Sequence, residues 1–161
     1  MAYLFDTNIF VESKKNLPMD VWPSFWTKMV ELINSGNVFS IDKVKDEIDH
    51  GGDELTDWIR NNAPRGFFLP TDAATMVKYS ETQNWAQSNP IGFTQAALVG
   101  YAQVADAYLV ATAAAKNLTL VTYEKSEPNR RNRVKIPDAC IGIGARCCDL
   151  NTALRDLGIH I

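Results

Sequence analysis

Short apolar runs and helical stripes alternate along the chain. Ala2 to Phe5 is a brief apolar run ending in Asp6-Thr7-Asn8. This predicts a buried strand that delivers a polar cluster at its C-terminal end. A loop carrying Lys14, Lys15 and Pro18 is expected next. Val21, Phe25, Met29 and Leu32 then recur at helical spacing as far as Asn34-Ser35-Gly36, predicting a helix over 21–33. Residues 37–41, with Val38, Phe39 and Ile41, form a second strand candidate. Residues 42–49 read as a helix stopped by Gly51-Gly52, and 53–61 as another.

A short third strand is expected over 66–69, before Pro70. Thr71 reads as the N-cap of a helix reaching about Trp85, with Asn89-Pro90 as the break. The stretch from Thr94 to Lys116 is helix-compatible and expected to bend near Gly100. Leu118 to Thr122 is a strongly apolar strand and Val134 to Ile136 a weaker one. The remainder reads as a loop and a helix around 152–157. Strands separated by helical stretches imply parallel pairing through crossover helices, hence the α/β class. No linker, repeat or low-complexity stretch interrupts the pattern, so a single domain over 1–161 is expected.

Composition narrows this picture. The 161 residues are 46% hydrophobic, 22% charged and 10% aromatic, which excludes a disordered tail or a collagen-like fibre. A net charge of −3 means that contact with nucleic acid needs a local basic patch. Three cysteines without a CxxC pair fit a reduced compartment better than a disulfide framework or a zinc site. No signal peptide is read at the N-terminus. The most membrane-like stretch, 91–115, is interrupted by Gln95, Gln103 and Asp106. The expectation is a cytoplasmic protein with no membrane partner.

Asp106 is the only charged residue between Glu81 and Lys116, and it lies in a segment apolar nearly all round. A carboxylate buried there costs several kcal/mol (~3–5) unless something compensates it. Capping a backbone group or pairing with an Arg is one reading; joining other carboxylates around a metal ion is the other. Asp6 ends the first strand, where ligands collect in parallel sheets. In the acid-rich segment from Asp42 to Asp49, Asp42, Asp46 and Asp49 point away from the stripe of Ile41, Val44 and Ile48. Glu47 borders that stripe and reaches inward. Glu124 repeats the Asp6 pattern at the end of the 118–122 strand, with a surface-loop reading equally open. Converging oxygen ligands without His or Cys suit Mg²⁺ or Mn²⁺, and such sites support hydrolysis or transfer at phosphorus.

In order and spacing these residues resemble the PIN-domain nucleases. The resemblance rests on Asp6-Thr7-Asn8, on Val44 to Glu47, on Ala105-Asp106 followed by Ala111-Thr112-Ala113, and on Thr122-Tyr123-Glu124. It spans nearly the whole chain. It implies a three-layer α/β/α sandwich with a central, mainly parallel sheet. It also implies an endoribonuclease that binds Mg²⁺ or Mn²⁺ and cuts RNA by water attack on a phosphodiester. Small bacterial members are often the toxin of a toxin–antitoxin pair of the VapBC type. By this resemblance Asp6, Glu47, Asp106 and Glu124 are the catalytic metal ligands, and Asn8 and Thr122 orient the acids or a water. A Glu at the fourth position departs from the family's usual Asp. Its longer arm leaves both direct ligation and a metal–water–Glu contact open.

Arg130, Arg131, Arg133 and Lys135 form the one dense basic run, with Lys125 nearby. Phosphate binding beside the acids and a solvated loop are both open to it. Lys14 and Lys15 are a second candidate. Trp22, Phe25 and Trp26 crowd the first long helix beyond what one face buries, which leaves an excess for a homodimer or antitoxin interface. Cys140, Cys147 and Cys148 read as packing residues, and neither His50 nor His160 has a partner in sequence. Two rivals stand beside the nuclease: a non-catalytic PIN-like module that binds RNA or protein, and a haloacid-dehalogenase-type phosphatase. The latter wants an Asp where this chain has Asn8.

Overall fold

The computed structural model describes residues 2–161. At its centre is a five-stranded sheet, every pairing parallel, in the order β3-β2-β1-β4-β5. The strands are β1 (Tyr3–Phe5), β2 (Val38–Ile41), β3 (Phe68–Leu69), β4 (Thr119–Val121) and β5 (Arg146–Cys148). Helices flank it as a three-layer α/β/α sandwich: α1 (Thr7–Asn16), α2 (Pro23–Ile33), α3 (Asp42–Gly51), α4 (Glu54–Asn62), α5 (Ala73–Gln87), α6 (Gln95–Gln103), α7 (Ala105–Lys116), α8 (Ile136–Ile143) and α9 (Leu150–Asp156).

The central strands β1 and β4 are buried along their whole length, which is why they read as continuous apolar runs. The order reverses around β1, whose two neighbours are reached through crossovers of opposite sense. In such sheets the crevice beyond the C-terminal strand ends is where ligands bind. Asp6 and Thr122 stand there, each directly after its strand.

Four local expectations need correction. The 7–16 segment is helix α1 and not a loop: it buries Ile9, Phe10 and Ser13 in a narrow stripe, and Lys14 and Lys15 occupy its last turn, where cations favour the helix dipole. The N-cap of α5 is Asp72, whose carboxylate accepts from the Thr75 N–H at 2.9 Å. Thr71 instead donates to Asp42. The 94–116 stretch breaks at Val104, not near Gly100, into two helices 64° apart. The 134–136 segment is not a strand. Val134 and Ile136 are buried and Arg133 exposed, but that alternation has no ladder partner, and Pro137 opens α8.

The short edge strand β5 and helix α8 are additions that no periodicity in the sequence predicts. Among the described residues no single helix is long and apolar enough to cross a membrane. The bent pair α6–α7 passes on length and composition only, and α7 is a core helix with Leu109, Val110 and Ala111 fully buried.

Candidate acidic site at the C-terminal strand ends

Three junctions bring the acids together. Asp6 sits between β1 and α1 and is 1% exposed. It occupies the N-cap position of α1 but makes no capping bond with its side chain. Its Oδ2 accepts from the Thr122 hydroxyl at 2.9 Å, across the β1–β4 pair. The Thr122 Oγ1 in turn accepts from the Glu124 N–H at 3.1 Å, which ties the fourth acid to the same strand end.

Glu47 projects from α3, an amphipathic helix closed by Gly52 in the left-handed region; it is exposed and does not reach inward beside the core as its place next to the apolar stripe predicts. Its Oε2 accepts from Thr7 Oγ1 at 2.7 Å and its Oε1 from the Ala105 N–H at 3.0 Å. It therefore caps α7, whose own N-cap residue, Val104, has no side-chain oxygen to offer. One carboxylate thus links the residue after Asp6 to the residue before Asp106. Asp106 lies in the first turn of α7, where the helix dipole favours negative charge.

Burial pushes the Asp6 carboxyl up to about 6. The Thr122 hydroxyl and the neighbouring Asn8 and Thr7 backbone N–H groups pull it down, and Glu124 pushes it up again. Asp106 is pushed up to about 7, first by burial and then by the charges of Asp6 and Glu124; Arg133 opposes this and Glu47 adds to it. Two neighbouring carboxyl groups that both resist ionisation mark a pocket short of positive charge.

Two cations reach it. Arg133 Nη2 lies 3.6 Å from Glu124 Oε2 and 4.0 Å from Asp106 Oδ2. Lys135 Nζ lies 3.6 Å from Glu124 Oε1 and 3.5 Å from Glu127 Oε2. The Ile136 N–H completes the surroundings of Glu124, donating at 3.4 Å. The Glu124 side chain is only 7% exposed, so the surface-loop reading fails for it.

The other basic candidates have partners elsewhere or face solvent. Arg131 donates to the Gly92 carbonyl, Arg130 pairs with Glu127, Lys14 pairs with Asp53, and Lys15 is exposed on α1. Asn8 is half-buried, and its backbone N–H is the part that acts on Asp6. Thr7 is a site neighbour to which the sequence assigns no role, and Lys135 is one that the sequence offers only as a member of the basic run. Thr7 lies within the Asp-Thr-Asn cluster, and Lys135 is indistinguishable there from the rest of the basic run.

The cleft beside Glu47, Asp106 and Arg133 has a volume of ≈ 340 Å³ and is walled by Ala96, Gly100 and Tyr101 of α6. A larger cavity of ≈ 720 Å³ opens on the far side of Thr122 and Glu124, lined by Leu17, Trp22 and Phe25 among others. Its lining combines apolar residues with Glu124, Lys125 and Asp149. Of the crowded aromatics, Phe25 and Trp26 are core, whereas Trp22 is 49% exposed. Cys147, on the wall of the large cavity, has its thiol lowered to about 7 by a hydrogen bond from Cys140.

Among the described residues no group of three or more Asp, Glu, His or Cys side chains stands ready-arranged to hold a metal ion. Glu47 and Glu124 are turned to protein donors. The donor set nonetheless fits a hard cation: Asp6, Glu47 and Asp106 offer only oxygen, and their excess negative charge is unmatched by Arg133 alone. The hydrogen bonds on Glu47 leave each of its oxygens a further lone pair.

A search among curated proteins gives no significant match. A family model described as a domain of unknown function, DUF4411, matches residues 3–161. That span includes every strand, every helix and all four acids, and the chain therefore belongs to the DUF4411 family.

Proposed function

We propose that this chain is a Mg²⁺- or Mn²⁺-dependent endoribonuclease that hydrolyses RNA phosphodiester bonds at the acidic cleft. The single observation that carries the reading is the mutual crowding of Asp6 and Asp106. Both lie beyond the C-terminal ends of the central strands, both resist ionisation, and Thr122 and Glu47 hold the frame. Folding bears that cost where function needs the charges together. The order of the acids along the chain, which resembles PIN-domain nucleases, supplies the substrate class.

In this reading Asp6, Glu47 and Asp106 hold the cation. A cation held by these carboxylates would supply Lewis-acid chemistry, activating a water and offsetting charge that develops on the phosphate. Thr122 fixes the rotamer of Asp6 through its hydroxyl. Glu47 fixes the distance between α3 and the start of α7, and so the position of Asp106. Arg133, the cation on the cleft wall, offers a sequence-independent phosphate contact, whereas Arg130 and Arg131 are engaged by Glu127 and the Gly92 carbonyl.

The toxin role within a toxin–antitoxin pair rests on the resemblance, with the exposed Trp22 beside the apolar cavity as a place for a protein partner. A second reading, a non-catalytic RNA-binding module, is favoured by one observation: Glu47 and Glu124 are each satisfied by protein donors alone.

Incubation with a mixed RNA pool in Mg²⁺ or Mn²⁺, against EDTA, separates the two. The nuclease reading expects cutting that EDTA abolishes. RNA binding without cutting in the metal-replete protein favours the binding module instead.

A further inference from the structure

Arg133 is an exposed residue that stands beside the acids. Its guanidinium spans Glu124 at 3.6 Å and Asp106 at 4.0 Å, and its side chain is 48% exposed along the wall of the acidic cleft. The two cations of this corner differ in kind. Lys135 is 12% exposed and fixed between Glu124 and Glu127. Arg133 is half in solvent, and although both cations stand beyond direct hydrogen-bond distance of Glu124, the exposure of Arg133 screens its pairing and makes it the more readily exchanged.

Its backbone has little freedom. Ser126 and the Glu127 N–H both bond Asp138, and the Thr94 N–H bonds the Arg131 carbonyl. Val134 and Ile136 are buried on either side of Lys135.

We infer that Arg133 is an exchangeable resident cation: it shields Asp106 in the metal-free protein and passes to the RNA phosphate when a divalent ion takes its place. Glu124 is then a positioning residue for Arg133 and not a direct metal ligand. The guanidinium suits this transfer because it stays charged and its fork matches either a carboxylate or a phosphate. An incoming ion displaces Arg133 from Asp106 by repulsion, while Glu124 keeps the guanidinium within reach of a bound phosphate. The inference rests on the nuclease reading.

The test measures Mn²⁺ affinity by electron paramagnetic resonance without RNA, and RNA affinity in Ca²⁺ with a pool oligonucleotide. Wild type, Arg133→Ala, Arg133→Lys, Glu124→Gln and Asp106→Asn are compared. Arg133→Ala is expected to bind Mn²⁺ about threefold to tenfold more tightly, because a competing charge is gone. The same variant should bind RNA roughly tenfold more weakly, with Arg133→Lys recovering part of both properties. Glu124→Gln should change Mn²⁺ affinity by less than about tenfold, against a loss of more than about a hundredfold for Asp106→Asn.

Unchanged or weaker Mn²⁺ binding in Arg133→Ala overturns the exchange, and so does unchanged RNA affinity. A loss in Glu124→Gln equal to that in Asp106→Asn overturns its positioning role. If the wild type binds Mn²⁺ and cuts RNA while these results appear, this inference alone fails. If the wild type binds no Mn²⁺, the nuclease reading fails with it.

Discussion

Asp106 illustrates how a single residue announces itself. A lone carboxylate inside an apolar helix is costly, and its apolar neighbours along the chain are enough to reveal that cost. In the fold it becomes a group pushed up to about 7 by burial and by Asp6 and Glu124. Replacing it with Asn removes the charge and keeps the shape. Asp106→Asn is expected to lower cleavage by more than about a hundredfold. It should also raise the melting temperature of the metal-free protein by ~5 °C, from roughly 1–3 kcal/mol of relieved repulsion and desolvation.

The same shifts set a pH dependence. Asp6 and Asp106 hold protons more tightly folded than unfolded, so the folded state binds more protons between pH ~4 and ~7. The metal-free protein should therefore lose a few kcal/mol (~2–5) of stability as pH rises through that window. Metal affinity should do the opposite and rise with pH over the upper part of it, since protons compete for the same oxygens. Thermal melts at pH 5 and 7.5, with and without Mn²⁺, check both directions. Glu47 is legible in the sequence because it borders the apolar stripe of its helix. The partnering of Glu124 by Arg133 and Lys135 is not, because a basic run carries no information about which of its members turn inward.

Elements are legible in proportion to the area they bury. The strands β1 and β4 and the helix α7 lie in the core, and the sequence shows them as apolar runs. Helix α1 leaves no such trace because only Ile9, Phe10 and Ser13 face inward, too few to mark a period. Strand β5 escapes notice because it is three residues, Arg146, Cys147 and Cys148, at the edge of the sheet. The 134–136 alternation is real but belongs to an extended lead-in to α8, a case in which period two reflects burial without pairing.

Helix α8 also offers a packing test. A Cβ on Gly142 would lie 2.3 Å from the ring of Trp85 in α5, closer than real contacts allow. Gly142→Ala should therefore destabilise the protein by about 1–3 kcal/mol, seen as a lowered midpoint in urea. An unchanged midpoint would mean that the Trp85 ring yields freely.

At the scale of the molecule, the parallel sheet gathers at its C-terminal strand ends what the sequence scatters. Asp6, Glu47, Asp106 and Thr122 come from separate segments and are joined through three hydrogen-bonded links, Thr122 to Asp6, Thr7 to Glu47 and Glu47 to the start of α7. Alternating strands and helices make the sheet class legible. The 64° break between α6 and α7, which sets the cleft wall, is not, because Val104 is neither Gly nor Pro. If the gathered charges are there to receive a cation, that cation stabilises the fold. At a hundredfold excess over its dissociation constant, Mn²⁺ should add ~2.7 kcal/mol and raise the melting temperature by roughly 5–10 °C. EDTA should reverse the gain.

The most direct test of the acidic site is the rate of RNA cleavage in Mn²⁺ by the wild type, Asp6→Asn and Asp46→Asn at equal folded concentration. Asp46 is an exposed acid on the same helix as Glu47 and serves as the matched control. The account predicts rapid cutting by the wild type and by Asp46→Asn, and a loss of more than about a hundredfold in Asp6→Asn. Cutting by Asp6→Asn at the wild-type rate, or none by the metal-loaded wild type, would contradict it.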